Sequence, residues 1–515
     1  MSGANSTRPH GVGVRGANLS RSSLLFQGRF GRIFRALPPA DYGVDDAASE
    51  TNLQALGAKM VSDPDSNDPK DGPDDEESGI PAIYTYLGQF IDHDLTFDPA
   101  SSLQRQDDPD ALVDYRTPRF DLDNIYGRGP DDQPYFYEDG ISFILGDEMT
   151  GAAANAGARD LPRSAPLGKG SPQRAIIGDP RNDENLIVSQ LQGLLHRFHN
   201  AVAAKHMGWT FAQVQREVRF HYQWILLNDF LPTLVSKKVL DQILPRKAGG
   251  KPNLEFFHFR DYAFMPLEFS AAAYRFGHSM VRPGYRLNEG PKATSLLPIF
   301  TQDALGSLSG FRKPAPGLAI DWNLFADLEP RDPDDISRTQ LAYRIDTSIV
   351  APLGLLPAAI ASDPPPSLAG RNLLRGWRMR LPTGQAVARA MGLQPLHDSK
   401  ILIGKFTGTS GDILGDIVKV GGAAFAGNCP LWTYCLAETV EEPVELKTTK
   451  GVKKFKARKL GPVGGRIVAE TFVGLLAGDS SSFLNQDPLW TPSLAQGGVF
   501  GINELINLAL TFKVP

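Results

Sequence analysis

The stretch Tyr86-Leu87-Gly88-Gln89-Phe90-Ile91-Asp92-His93-Asp94 sets polar, chemistry-bearing side chains into an apolar run that extends from Ile83 to Leu95. The spacing of its apolar residues predicts a helix. On that helix Gln89, Asp92 and His93 stand at i, i+3 and i+4 and share a face, while Asp94 is turned about 100° away from His93. The segment therefore serves two sites back to back, or it is a helix C-terminus with a satisfied histidine and solvated carboxylates. The letters of this segment fit both readings.

Two further clusters lie downstream. Arg181-Asn182-Asp183-Glu184 opens an apolar stretch whose periodicity predicts a helix over 184–205, and Arg181 and Glu184, three apart, point the same way. An N-terminal acidic cap with a surface ion pair fits the same residues. Tyr274-Arg275-Phe276-Gly277-His278 places a histidine after a glycine in an aromatic segment. Glycine removes bulk beside the ring, as a flat ligand would require; a core histidine fits equally. His196-x-x-His199 has the spacing of a metal pair on one helix face, but no third ligand or general base is spaced to assist, and packing histidines are the preferred reading.

Around these clusters the chain reads as a Gly/Ser/Arg-rich N-terminal arm and acidic, proline-broken loop over 1–79, then one packed domain over 80–515. Helices are expected over 83–95, 184–205, 211–235, 264–280, 371–395 and 465–478. Residues 98–183 are a long loop rich in Asp, Pro and Gly, a length that points to a function or an ion. Glu441 to Lys459, with Lys447, Lys450, Lys453, Lys454 and Lys456, is expected to be an exposed basic excursion, read as a solvated loop ahead of an anionic docking site. Gly11-Val-Gly13-Val-Arg-Gly16 matches a dinucleotide-binding pattern but has no strand before it or helix after it.

Composition narrows the function classes. With 515 residues, 42% hydrophobic and 22% charged, the chain has the profile of a soluble globular protein with a sizeable core. Its net charge of −5 argues against a nucleic-acid binder, which needs a basic face. Two cysteines, Cys429 and Cys435, allow one disulfide and exclude a Cys-rich zinc site. The N-terminus lacks the order of a secretory leader, so the chain is expected to be cytoplasmic or exported by a leaderless route, and no stretch is long and apolar enough to span a membrane.

Together the clusters resemble the animal-type haem peroxidase family, the myeloperoxidase-like branch with its bacterial homologues. YLGQFIDHDLTFDP (86–99) is similar to the family's distal haem helix, RNDENLIVSQLQGLLHRFHN (181–200) to the helix bearing its catalytic arginine, and AYRFGHSMVRP (273–283) to its proximal haem helix. NLLRGWRMRLPTGQAVARAMGL (372–393) and GPVGGRIVAETFVGLL (461–476) resemble later family segments in the same order, so the resemblance spans roughly 25–510.

The resemblance implies a mainly α fold with little β structure and a haem b held between distal and proximal helices. It makes His278 the iron ligand, with Asn372 accepting its ring N–H. His93 becomes the distal base, Arg181 a fixed positive charge beside it, and Gln89 a holder of water or a small anion. Asp92 and Glu184 match carboxylates that form ester links to the haem, while Asn185 stands where myeloperoxidase has a methionine that forms a third link. Efficient chloride oxidation is thereby disfavoured. Arg275 and Arg375 are candidates for the haem propionates. Asp94, with Thr117, the Arg119 carbonyl, Asp121 and Asp123, matches a calcium site.

The implied activity is reduction of hydrogen peroxide through a ferryl haem intermediate, with oxidation of bromide, iodide, thiocyanate or aromatic donors. Two alternatives share the scaffold. A fatty-acid dioxygenase needs a tyrosine three residues before the proximal histidine, where this chain has Arg275, with Tyr274 one place too early. A non-catalytic adhesion module is expected to have lost His93, Arg181 or His278, and all three are present.

Overall fold

The computed structural model describes residues 30–62, 74–96, 116–166, 168, 171, 173–245, 247, 249–259, 263–289, 296–301, 306–358, 360–361, 364–409 and 412–512. The glycine pattern at 11–16, most of the acidic stretch and the first part of the long loop lie outside them. Seven helices of ten or more residues occur among the described residues: α1 (Asp46–Lys59), α2 (Ile83–Leu95), α3 (Leu186–Lys205), α4 (Phe211–Ile225), α5 (Leu368–Arg378), α6 (Gly464–Gly478) and α7 (Ile502–Thr511). Among the described residues the strands form two-stranded pairs, and the architecture is mainly α. None of the described helices is long and apolar enough to cross a membrane.

α3 is the central member. Its apolar and polar residues alike are buried, from Leu186 to Asn200, because α2, α4 and α7 pack around it. The Asn185 side chain caps it, accepting from the Ile187 and Val188 N–H groups at 3.0 and 2.9 Å. The residues before it, Pro180–Asp183, make one tight 3-10 turn that Asp179 caps through the Arg181 N–H. α2 begins without a side-chain cap; its first N–H groups instead reach the Gln340 and Phe325 carbonyls, which ties it into the core.

Several segments depart from the sequence expectations. Residues 30–62 of the arm are packed: Phe30–Gly31 pairs with Met265–Pro266, and α1, capped by Asp45, packs on α5 with Gly57 against Gly370. The helix expected over 211–235 changes to a π-helical turn at Leu226–Phe230 before resuming at Leu231–Leu234. Pro232 gives the reason, since it offers no N–H to the Asn228 carbonyl and its ring crowds that turn. The helix expected over 264–280 is broken at Ala271–Ala272 into Leu267–Ser270 and a 3-10 segment, Ala273–Met280.

The basic excursion is an antiparallel hairpin, Val440–Thr448 with Gly451–Lys459. Its lysines face carboxylates, Lys454 with Glu445 at 3.3 Å and Lys450 with Asp332 and Asp334 at 2.8 and 2.9 Å. Cys429 and Cys435 are both buried and free.

Candidate functional site

One cavity lies between α2, the start of α3 and the Ala273–Met280 segment. His93, Asp92 and Gln89 line it from α2, Glu184 and Asn185 from the α3 entry, and Tyr274, Arg275, Gly277 and His278 from the 3-10 segment. The open space between these walls, mouth included, is about 1170 Å³. A Cβ built on Gly277 would meet no atom within 4 Å, so the glycine leaves open room where it lines the cavity.

His93 is buried, and its Nδ1 lies 2.6 Å from the Asn182 Oδ1. With Asn182 as acceptor the ring proton sits on Nδ1, which leaves the Nε2 lone pair for chemistry. Burial, followed by the Arg181 charge, pushes His93 from its ordinary 6.5 down to about 4, so the ring is neutral at physiological pH. Behind Asn182 the polar chain continues: its Nδ2 donates to the Gln192 Oε1 at 2.7 Å, and the Gln192 Nε2 lies 2.8 Å from the His196 Nε2. Sequence reading missed Asn182 and Gln192, which show no motif of their own. His199 donates from Nε2 to the Ile141 carbonyl and pairs through Nδ1 with the Tyr126 hydroxyl, as a packing histidine does.

Gln89 donates to a Glu184 carboxylate oxygen, and the Asn185 Nδ2 donates to the Gln89 Oε1 at 3.2 Å. The Gln89 amide is thus engaged by two neighbours while it lines the cavity beside His93. Glu184 is half-buried, and desolvation raises it from 4.5 to about 7. Asp92 and Glu184 both line the cavity, the placement that ester links to a ligand there require.

Arg181 stands against the end of α2 beside His93. Its guanidinium is held by Asp179 at 2.8 Å and donates to the His93 carbonyl at 3.1 Å and the Thr96 carbonyl at 2.5 Å. It lines an adjoining chamber that also contains Asp92, Thr96, Arg275, Arg371 and Arg375. The reason is local: Asp179, two residues away and fully buried, is the strongest acceptor within reach, and α2 offers its unpaired C-terminal carbonyls. Arg371, missed in the sequence, stands one helical turn before Arg375, an i, i+4 spacing that was visible. Four guanidinium groups in one chamber suit a ligand that carries carboxylates.

On the other wall His278 lies with Nδ1 2.8 Å from the Asn372 Nδ2, and Arg275 Nη1 donates to the Asn372 Oδ1 at 3.0 Å. The expected pair is brought together, with the amide turned the other way. For Asn372 to accept the His278 N–H, its amide must rotate and Arg275 must take a different acceptor. Burial, then the Arg275 charge, push His278 down to about 3, so the ring is neutral, the form that ligates a metal.

Asp94, turned from the cavity, is completely buried, and neither carboxylate oxygen has a hydrogen-bond partner. Oxygens of Asp94, Asp121 and Asp123 lie within 4.8 Å of one another. Leu122, with φ of 60°, makes the sharp bend between the latter two. Thr117 donates to Asp121 at 2.7 Å, and the Arg119 side chain turns towards Asp479, 3.8 Å away, so only its carbonyl is left for the acidic group. Arg116 reaches Asp123 at 3.1 Å. Three gathered carboxylates, one with both oxygens orphaned, fit a hard divalent cation.

A family model described as animal haem peroxidase matches residues 104–307, which include Arg181, Glu184 and His278. About two fifths of the chain thus matches the animal haem peroxidase family model. A stretch of 129 residues is 27% identical to the dual oxidase of Drosophila melanogaster, covering 23% of this chain and 8% of that relative's length. Among solved structures, peroxidase A from Dictyostelium discoideum superposes with a TM-score of 0.57 at 17% identity over 91% of this chain and 92% of that one. The fatty acid alpha-dioxygenase of Oryza sativa superposes with a TM-score of 0.51 at 14% identity over 95% and 80%. At these identities the superpositions show that the chain shares the fold of these proteins, and nothing beyond it. His93 precedes the region matched by the family model, and its place in the site rests on the packing of α2.

Proposed function

We propose that this chain is a peroxidase that reduces hydrogen peroxide and oxidises a small anion, such as bromide, iodide or thiocyanate, or an aromatic donor. The observation that carries the reading is a buried, neutral His93 whose Nδ1–H is held by Asn182, set in the same cavity as His278. His278 would hold a haem b in that cavity, Arg275, Arg371 and Arg375 its propionates, and Asp92 and Glu184 its ester links. The haem, when bound, supplies the redox chemistry.

His93 takes a proton from hydrogen peroxide at Nε2 and returns it to the departing oxygen; neutrality makes it a base, and the Asn182 bond fixes its tautomer and aim. Arg181 acts from the cavity edge. Held on the His93 and Thr96 carbonyls, it fixes the end of α2 and keeps His93 depressed by its charge. Asn185 brings no sulfur to the cavity, which favours donors more easily oxidised than chloride. Calcium at Asp94, Asp121 and Asp123, with Thr117 and the Arg119 carbonyl, would neutralise the carboxylates on the back of α2 and join it to the loop that follows.

The test is the absorption spectrum of haem-loaded protein before and after hydrogen peroxide. A Soret shift followed by donor turnover is the expected result; no response overturns the roles given to His93 and Arg181.

A second reading is a fatty-acid dioxygenase. Tyr274 lines the cavity, its hydroxyl donating to the Gly88 carbonyl at 3.2 Å, and Ile299, Leu353, Leu356, Ile360 and Leu368 supply apolar wall for an acyl chain. Oxygen uptake with an unsaturated fatty acid, lost in Tyr274→Phe, would favour it.

A further inference from the structure

Three tyrosines line the cavity: Tyr84, Tyr86 and Tyr274. Their hydroxyls end in different places. Tyr274 donates to a backbone carbonyl, and Tyr86 packs edge-on against the Tyr285 ring and reaches no carboxylate among the described residues. Tyr84 donates to the Asp229 Oδ1 at 2.5 Å.

Asp229 is set deliberately by its surroundings. It lies in the π-helical turn Leu226–Phe230, a type of distortion often found at functional positions. Its Oδ2 accepts the Ile502 N–H at 2.7 Å, at the start of α7. Gly501 permits this approach, since a Cβ there would stand 2.7 Å from that oxygen. Both Asp229 oxygens accept hydrogen bonds, as an ionised carboxylate does. Glu504, the other acid near the pair, is turned to cap the Gly501 N–H.

We propose that Tyr84 is a redox-active tyrosine, with Asp229 as its proton acceptor. The inference rests on the peroxidase reading, because the oxidant is the haem once oxidised by hydrogen peroxide. One electron passes from the phenol to that haem, the O–H bond breaks, and the proton moves along the hydrogen bond to the Asp229 Oδ1. A neutral tyrosyl radical and a protonated Asp229 remain. A one-electron donor such as a phenol then reduces the radical, and the proton returns from Asp229 to the Tyr84 oxygen. A phenol becomes a strong acid on losing an electron, so among the cavity tyrosines the one already bonded to a carboxylate is the one whose oxidation is easiest. Burial and the neighbouring Asp229 charge both oppose simple ionisation of Tyr84, which keeps the proton on the phenol until the electron leaves.

The experiment uses the full chain loaded with haem, mixed with equimolar hydrogen peroxide and frozen for electron paramagnetic resonance, with the Soret band followed on the same mixture. A tyrosyl signal is expected in the unmodified chain and in Tyr274→Phe, absent in Tyr84→Phe, and reduced severalfold in Asp229→Asn. Retention of the haem band shows that each variant is folded. A tyrosyl signal unchanged in Tyr84→Phe, or a Soret shift with no tyrosyl signal, overturns the role of Tyr84 and leaves the peroxidase reading standing. No Soret shift at all overturns both.

Discussion

The Asn182 Oδ1 stands 2.6 Å from the His93 Nδ1, and the two are the outer links of a buried chain that runs on through Gln192 to His196. The direction of every amide in that chain is tied to the tautomer of His93. Asn182→Leu, close in size, leaves the Nδ1–H without an acceptor and frees the ring to adopt the wrong tautomer. The rate of reaction with hydrogen peroxide, read by stopped flow, is expected to fall about 10-fold or more, with the haem band retained. An unchanged rate would show that Asn182 does not orient the base.

Arg181 bears on pH. Its charge is, after burial, the largest cause lowering His93, which must be neutral to take a proton. The peroxide reaction therefore declines as pH falls through about 4, and Arg181→Gln moves that acid limb to higher pH. A pH profile of the bimolecular rate decides it; a limb that stays in place or moves down contradicts the electrostatic role.

The Asp94 site predicts a response to calcium. A ligand that binds the folded state stabilises it by about 2.7 kcal/mol at a hundredfold excess over its Kd, so thermal melting should shift upward with calcium and downward with a chelator. Asp94→Asn thins a buried cluster of three carboxylates in which burial, then Asp121 and Asp123, hold Asp94 well above its ordinary range, and is expected to melt higher than the unmodified chain in chelator while ignoring added calcium. A calcium shift that survives Asp94→Asn places the ion elsewhere.

Asp92 and Glu184 face one cavity from two segments, so each ester link should form or fail separately. After exposure to peroxide, acidic acetone is expected to leave haem on the unmodified chain and on each of Asp92→Asn and Glu184→Gln, and to strip it from the double variant. Complete extraction from the unmodified chain refutes the covalent assignment.

Glu438 is buried where its Oε1 accepts the Val463 and Gly464 N–H groups at 2.7 Å each, and desolvation pushes it from 4.5 up to about 8. Between those values the folded state keeps a proton that the unfolded chain releases. Its contribution to stability is complete below pH 4.5 and is lost as pH rises through about 8, with a slope of at most about 1.4 kcal/mol per pH unit. Glu438→Gln should flatten urea-unfolding stability across that window. An equal slope in the variant would assign the dependence to other groups.

Much of this site could be read in the letters because its parts are local. The α2 spacing placed Gln89, Asp92 and His93 on one face and Asp94 on another, and Asp121 with Asp123 followed the same short-range logic. What could not be read depends on distant partners. Asp179, sealed beneath the Pro180–Asp183 turn, draws the Arg181 guanidinium to the end of α2. Gln192 meets Asn182 only because the chain bends sharply before α3. The hairpin over 440–459 was hidden because charged residues dominate both strands; its register sets Lys454 opposite Glu445 and Arg458 opposite Glu441. The broken helix before His278 and the turn at Leu226–Phe230 likewise follow from backbone accommodations that side-chain periodicity does not encode.

Cys429 and Cys435 are completely buried, and desolvation raises both thiols well above their ordinary range. Thiolate is the form that peroxide attacks, so the chain's two thiols are guarded both by packing and by protonation. On the proposed function, peroxide drawn to the cavity carries the hazard of self-oxidation with each cycle. Here that wear is directed away from sulfur of this kind, and loss of activity under excess peroxide should leave both cysteines titratable once the protein is unfolded.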